Sequence, residues 1–126
     1  MILDTSAIIA ILSDEPEAPA LARCIEDADR VEVSAATVLE ASLVCGPPRQ
    51  DDLNRFLAEC RAVVTPFEDV QLDLARAAHL RYGRGSGSPA RLNYGDCFSY
   101  ALAQHRREPL LFVGNDFGQT DVASGC

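Results

Sequence analysis

Four carboxylates in this chain stand where water does not account for them. Asp4 directly follows the apolar Met1-Ile2-Leu3 and precedes Thr5-Ser6. Glu40 lies in a helical pattern beside Ala36, Thr37, Leu43 and Val44, with no basic residue three or four positions away to pair with it. Asp96 opens a stretch, Cys97 to Gln104, that carries no charge. Asp116 follows the apolar run Leu110 to Val113 through Gly114-Asn115. Taken singly, each aspartate has an ordinary role open to it, as a helix cap or a turn residue. The glutamate is harder to place, because an unpaired carboxylate on an apolar helix face is costly. Gathered together, such groups repel, and one or more takes up a proton unless a cation joins them. Hard oxygen ligands without His or Cys select Mg2+ or Mn2+. An ion of that kind activates water and stabilises charge on a phosphodiester, so the implied chemistry is metal-assisted hydrolysis of a phosphate ester.

These acids meet only if the fold carries them to one edge. Met1 to Leu3 reads as a buried strand feeding a helix over Thr5 to Leu12, which puts Asp4 at the strand's carboxyl end. A second helix is expected from about Pro16 to Arg30, then a strand at Val31 to Val33 and a helix at Ala35 to Cys45 capped by Ser34 and stopped by Gly46-Pro47-Pro48. Gln50 to Arg61 repeats Leu53, Phe56, Leu57 and Cys60 on one face. A third strand over Ala62 to Thr65 precedes a helix from Glu68 to Tyr82, with Val70, Leu74 and Ala77 as its expected inward row. Gly83 to Pro89 reads as a surface loop. A helix from Asn93 or Tyr94 to His105, a strand over Leu110 to Val113 and a short edge strand at Asp121 to Ala123 complete the chain. Strands alternating with helices predict an α/β fold of three layers, α/β/α, around a mainly parallel sheet of four to five strands. In such sheets ligands bind at the carboxyl edge.

The 126 residues fit one domain spanning 1–126. No apolar run is long enough for a membrane span, and the N-terminus lacks a signal-peptide pattern, so a soluble cytoplasmic protein is expected. The five cysteines are odd in number and widely spaced, which argues against a disulfide framework or a zinc site. Four of them are expected as small core residues in helices, and Cys126 as an exposed terminal residue. The net charge of −8 gives no bulk attraction for nucleic acid, so any such binding needs a local basic patch or bridging cations. All basic residues apart from the histidines are arginine. Without lysine, the phosphotransferases that use an acid after strand one lose their phosphate clamp, and no G-x-G-x-x-G turn supports dinucleotide binding.

Ile2-Leu3-Asp4-Thr5-Ser6, Thr37-Val38-Leu39-Glu40-Ala41, Leu92-Asn93-Tyr94-Gly95-Asp96-Cys97 and Gly114-Asn115-Asp116-Phe117 resemble, in order and over essentially the whole chain, the four acidic motifs of PIN-domain ribonucleases. The likeness is greatest to the VapC toxins of type II toxin–antitoxin systems. It implies a Mg2+- or Mn2+-dependent endoribonuclease, a homodimer, and inhibition by a VapB-like antitoxin. By position Asp4, Glu40, Asp96 and Asp116 correspond to the metal-binding acids, with Ser6 and Asn115 in support. Many members carry Ser or Thr two residues before the fourth acid; here that residue is Gly114, and Asp116 would meet the metal directly or through water. Asp121 is a lesser candidate with a structural role. Arg81, Arg84 and Arg91 flank the loop before Asp96 and are candidate contacts to RNA phosphates, which arginine grips bidentately. Two neighbouring readings share the pattern: a PIN nuclease of RNA maturation and an inactive PIN-like binding module.

Overall fold

The computed structural model describes residues 1–126. Four short strands, β1 (Ile2–Leu3), β2 (Glu32–Ser34), β3 (Val63–Thr65) and β4 (Leu110–Leu111), form one parallel sheet in the order β3-β2-β1-β4. Successive side chains of a strand point to opposite faces. Ile2 and Leu110 therefore join Ala78, Tyr82, Tyr100 and Leu102 on one side, while Leu3 and Leu111 join Ile8, Leu21, Val33 and Leu53 on the other. Each of these strand residues is fully buried, a contribution of roughly 1.5–3 kcal/mol per side chain. Both faces are covered by helices: α1 (Thr5–Leu12), α2 (Ala18–Glu26), α3 (Ala35–Cys45), α4 (Gln50–Glu59), α5 (Asp69–Tyr82) and α6 (Tyr94–Arg106). The three-layer α/β/α arrangement expected from the sequence is thus present.

The strand order reverses direction at β1. Its neighbours are β2 on one side and β4 on the other, so the carboxyl ends of β1 and β4 flank a switch point, the place where open α/β sheets bind ligands. Asp4 N donates to Leu111 O at 3.0 Å, which fixes the residue after β1 against the end of β4.

Several expectations need correction. The inward row of α5 is Gln71, Ala75, Ala78 and Tyr82, one residue out of phase with the expected Val70, Leu74 and Ala77. Val70 is exposed because α5 packs along α6 through Ala75, Cys97 and Ala101, a seam that small residues let close. No strand forms at Asp121 to Ala123; instead Leu110 N donates to Ala123 O and Gly125 N to Leu110 O, both at 2.8 Å, a single parallel bridge beside β4. Cys24 in α2 and the terminal Cys126 are joined as a disulfide, whereas Cys45, Cys60 and Cys97 are free. Wide sequence spacing does not reveal this pair, because the tail beside β4 returns to α2 only in three dimensions.

Glu32 is a buried acid within the sheet, 5% exposed. It accepts from Thr65 Oγ1 at 2.8 Å and Arg106 Nε at 3.1 Å and pairs with Arg30 at 3.2 Å. Burial pushes its carboxyl up, but Thr65, Arg106 and Arg30 together bring it below the ordinary carboxylate range. It is a satisfied structural charge.

Candidate active site

Asp4 caps α1. Its Oδ2 accepts from Ser6 N at 2.9 Å and from Ser6 Oγ at 2.6 Å. Ser6 Oγ in turn accepts from Val113 N at 3.0 Å, tying the first turn of α1 to the segment leaving β4. Asp4 is 3% exposed, and its other oxygen, Oδ1, is buried with no hydrogen-bond partner. The cap role expected of an isolated aspartate accounts for one oxygen and leaves the second unexplained.

Glu40 reaches the same region from α3. Its Oε1 accepts from Thr5 Oγ1, the residue after Asp4. Its carboxyl also lies against Gly95, where an added Cβ would overlap the carboxyl atoms. Glycine at this place in α6 thus makes room for the acid of α3. One turn away, Thr37 and Ser99 hydroxyls meet at 3.2 Å in the core and hold α3 to α6.

Asp96 occupies the third position of α6 in a capping box. Asn93 Oδ1 accepts from Asp96 N, and Asp96 Oδ2 accepts from Asn93 N, both at 2.9 Å. Burial pushes the Asp96 carboxyl up to about 6; the Asn93 amide opposes this, while the charges of Asp4, Asp116 and Glu40 add to it. All three other acids therefore act on Asp96 as neighbours, at one end of the sheet. Asp116 precedes a 3-10 turn at Phe117–Gln119 and is exposed. Gly114 has φ of 101°, a left-handed backbone disfavoured for Ser or Thr. Glycine stands there because the turn into Asn115-Asp116 requires it. Asn115 is exposed and has no hydrogen bond from its side chain.

No three acid, His or Cys side chains are drawn together as a closed cage for an ion. The donor set nevertheless fits a hard divalent ion. Asp4 Oδ1 is a buried acceptor without a donor, and burial, with the neighbouring acids adding to it, already favours a proton on Asp96. Mg2+ keeps several of its waters and needs only one or two protein carboxylates directly.

The structure separates the candidate arginines. Arg81 pairs with Asp121 at 3.7 Å and lies 4.8 Å from the Tyr82 ring centre, so it is engaged within the fold. Asp121 also accepts from Tyr100 Oη at 2.7 Å, a structural role. Arg91 is exposed, with φ of 50°. Arg84 lines a cavity between α5 and the start of α6. Thr5 and Gly95 were not among the sequence candidates, because their function exists only where α3 crosses α1 and α6.

Residues 1–123 match the family model of the PIN domain. Over 97% of its length the chain is 53% identical to VapC ribonuclease Mb0625 of Mycobacterium bovis, covering 95% of that protein; the same figures hold for Ribonuclease VapC28 of Mycobacterium tuberculosis. It is 43% identical to Ribonuclease VapC of Mycolicibacterium smegmatis over 98% of both chains. Among solved structures, a chain of a toxin-antitoxin complex from Klebsiella pneumoniae superposes with a TM-score of 0.74, covering 99% of this chain and 97% of that one, at 18% identity. At that identity the superposition speaks for the fold alone. A switch-point cluster of acids, a matching family model and full-length similarity to named ribonucleases agree: the chain belongs to the PIN-domain family, among its VapC ribonucleases.

Proposed function

We propose that this chain is a cytoplasmic Mg2+- or Mn2+-dependent endoribonuclease, the toxin of a type II toxin–antitoxin pair. The observation that carries the metal dependence is Asp4 Oδ1, a buried oxygen without a partner on the residue next to Thr5, which holds Glu40. Leaving such an oxygen unsatisfied costs about 1–3 kcal/mol or more, and a cation removes that cost. Asp4, Glu40, Asp96 and Asp116 would hold the ion, some of them through water. When bound, a divalent ion supplies a polarised water and charge neutralisation at the scissile phosphate.

The chain's own residues prepare the site. Ser6 holds Asp4 Oδ2 and so leaves Oδ1 free to bind a cation. Thr5 orients Glu40, and the Asn93 amide orients Asp96. Such hydrogen bonds fix ligand direction before binding, the usual task of groups around a metal site. An acidic pocket also attracts a basic side chain, and an arginine of a VapB-like antitoxin placed there would displace both metal and substrate. Leu39 and Leu43, one turn apart on α3 and well exposed, support a second copy of the chain as partner in a homodimer.

The test is cleavage of RNA by purified protein with Mn2+ or Mg2+. Asp4→Asn and Asp96→Asn are expected to abolish it while circular dichroism stays native and the unfolding midpoint does not fall, since neither change opens a cavity. A native rate in either folded variant would overturn the site assignment.

A further inference from the structure

The cavity between α5 and the start of α6 has a volume of about 560 Å³, within the range of small-molecule sites. Its walls are aromatic and apolar. Phe67 and Phe98 meet edge-to-face with ring centres 4.7 Å apart, and Phe98 and Tyr94 do so at 4.9 Å. This ordered row of rings ends in Tyr94, which is 83% exposed. Arg76, Arg84 and His79 also line the cavity, and no carboxylate does, although the chain has 19 acids. Neither Arg76 nor Arg84 enters an ion pair, in contrast to Arg81. An apolar, ring-lined cleft with unpaired cations selects a ligand that is flat and anionic.

The cavity also adjoins the acid cluster through four consecutive residues. Asn93 and Tyr94 line the cavity, Gly95 lies against Glu40, and Asp96 is bonded in both directions to Asn93. A ligand resting on Tyr94 is therefore placed next to the site where a phosphodiester would react. We propose that this cavity is a nucleobase subsite for the RNA substrate, in which an unpaired base stacks on Tyr94 and Phe98 and its flanking phosphate meets Arg84 and Arg76. The inference rests on the nuclease reading and deepens it: the substrate is single-stranded at this position, because a paired base cannot offer its face to the rings. An apolar side chain of a protein partner would fill the rings but leave the two arginines without an anion.

The test is binding of a fluorescein-labelled single-stranded RNA of mixed sequence, followed by anisotropy with Ca2+ in place of Mg2+ or Mn2+, so that the acids are neutralised while cleavage is suppressed. Stacking on an aromatic ring is lost in Tyr94→Ala, and the dissociation constant should rise roughly 5- to 150-fold. Tyr94→Phe and Tyr94→Trp should bind as the native chain does. Arg84→Ala should reduce the slope of log affinity against log salt by about 0.7, while Tyr94→Ala leaves the slope unchanged. Because Tyr94 is exposed, its variants keep the fold, which circular dichroism checks. Native affinity in Tyr94→Ala would overturn the subsite. So would a Tyr94→Ala variant that loses only self-association or antitoxin binding, which would identify the cavity as a protein-docking surface. Cleavage with Mn2+ is measured on the same preparations. A native chain that cleaves RNA while Tyr94→Ala binds normally sinks the subsite alone; a native chain that neither binds nor cleaves RNA sinks the nuclease reading and the subsite with it.

Discussion

Gly95→Ala offers a sharp examination of how the acids are brought together. The added methyl group overlaps the Glu40 carboxyl, the far end of a flexible side chain, so Glu40 turns away and the backbone stays. Turning away breaks the hydrogen bond from Thr5 Oγ1, a bond to a charged acceptor worth about 1.5–3 kcal/mol. Alanine returns up to about 1 kcal/mol of helix propensity, and the retreat of one carboxylate relieves repulsion on Asp96. The net loss of stability should be only about 0.5–2 kcal/mol, a fall of a few degrees in Tm. Metal affinity and RNA cleavage should fall much further, by about 10–100-fold, the usual effect of displacing a group that orients or completes a metal site.

The decisive assay is a double-mutant cycle with Glu40→Ala, read in Mn2+ affinity by calorimetry and in Tm. If the methyl acts only through Glu40, then Gly95→Ala in the Glu40→Ala background changes Mn2+ affinity by less than about twofold and is neutral or slightly stabilising, because the space it needs is vacant. Native cleavage by Gly95→Ala would refute the reasoning. An equal loss of affinity in both backgrounds would refute it too, by showing that the methyl acts on something other than the glutamate.

Three further outcomes follow from the charges and the disulfide. Burial, then the neighbouring acids, raise Asp96 from 3.8 to about 6, so the folded chain holds a proton that the unfolded chain has released. That contribution to stability is complete below pH ~4 and lost as pH rises through about 6; Tm of metal-free protein should fall over that interval, Mn2+ should restore it most at the upper end, and a flat profile would exclude the raised Asp96 carboxyl that burial and the neighbouring acids produce. Glu32 has the opposite sign: its lowered carboxyl stabilises above the ordinary range and is lost as pH falls through the lowered value. Glu32→Ala should cost about 2–3 kcal/mol in urea unfolding, below the figure for a wholly enclosed pair because both arginines are partly in water. Reduction of Cys24–Cys126, which spans 102 residues, should lower Tm, with a ceiling of about 5 kcal/mol in the chain-entropy treatment, and Cys126→Ser should reproduce the reduced state. Equal midpoints with and without reductant would show that the tail is not bridged in solution.

The elements that the sequence displayed best are those with a local stop and start. Thr5–Leu12 and Ala35–Cys45 have the bounds expected, because Asp4 and Ser34 cap them with their own side chains and Gly46 ends the second. Where the deciding partner is distant, the pattern misleads. Val70 is the more hydrophobic residue, yet Gln71 is buried in its place, because close approach to α6 selects for alanine at 75 and 78 and so sets the phase of the whole helix. Val31 to Val33 reads as a short strand, and nothing local announces that Arg106, 74 residues away, neutralises the glutamate between the valines. The acids of the site were visible for the converse reason: no local partner explained them. Thr5 and Gly95 carry no such signal, and only the crossing of α3 gives them a task.

The distribution of arginine explains how a chain of charge −8 can address RNA at all. Arg30 and Arg106 are spent on Glu32, Arg81 on Asp121 and Arg55 on Asp52. The cations left unpaired near the acids, Arg76, Arg84 and Arg91, meet too few phosphates to hold a strand by charge alone, and the acids themselves repel one. On the proposed reading, affinity would come from contacts that do not depend on bulk field: base stacking on the ring row, and the positive charge of a divalent ion at the acids. Both would act on the same four residues, Asn93 to Asp96. Substrate and metal should therefore bind interdependently, each weakening the repulsion that opposes the other, and an acidic surface elsewhere keeps the chain from holding RNA that does not reach this point.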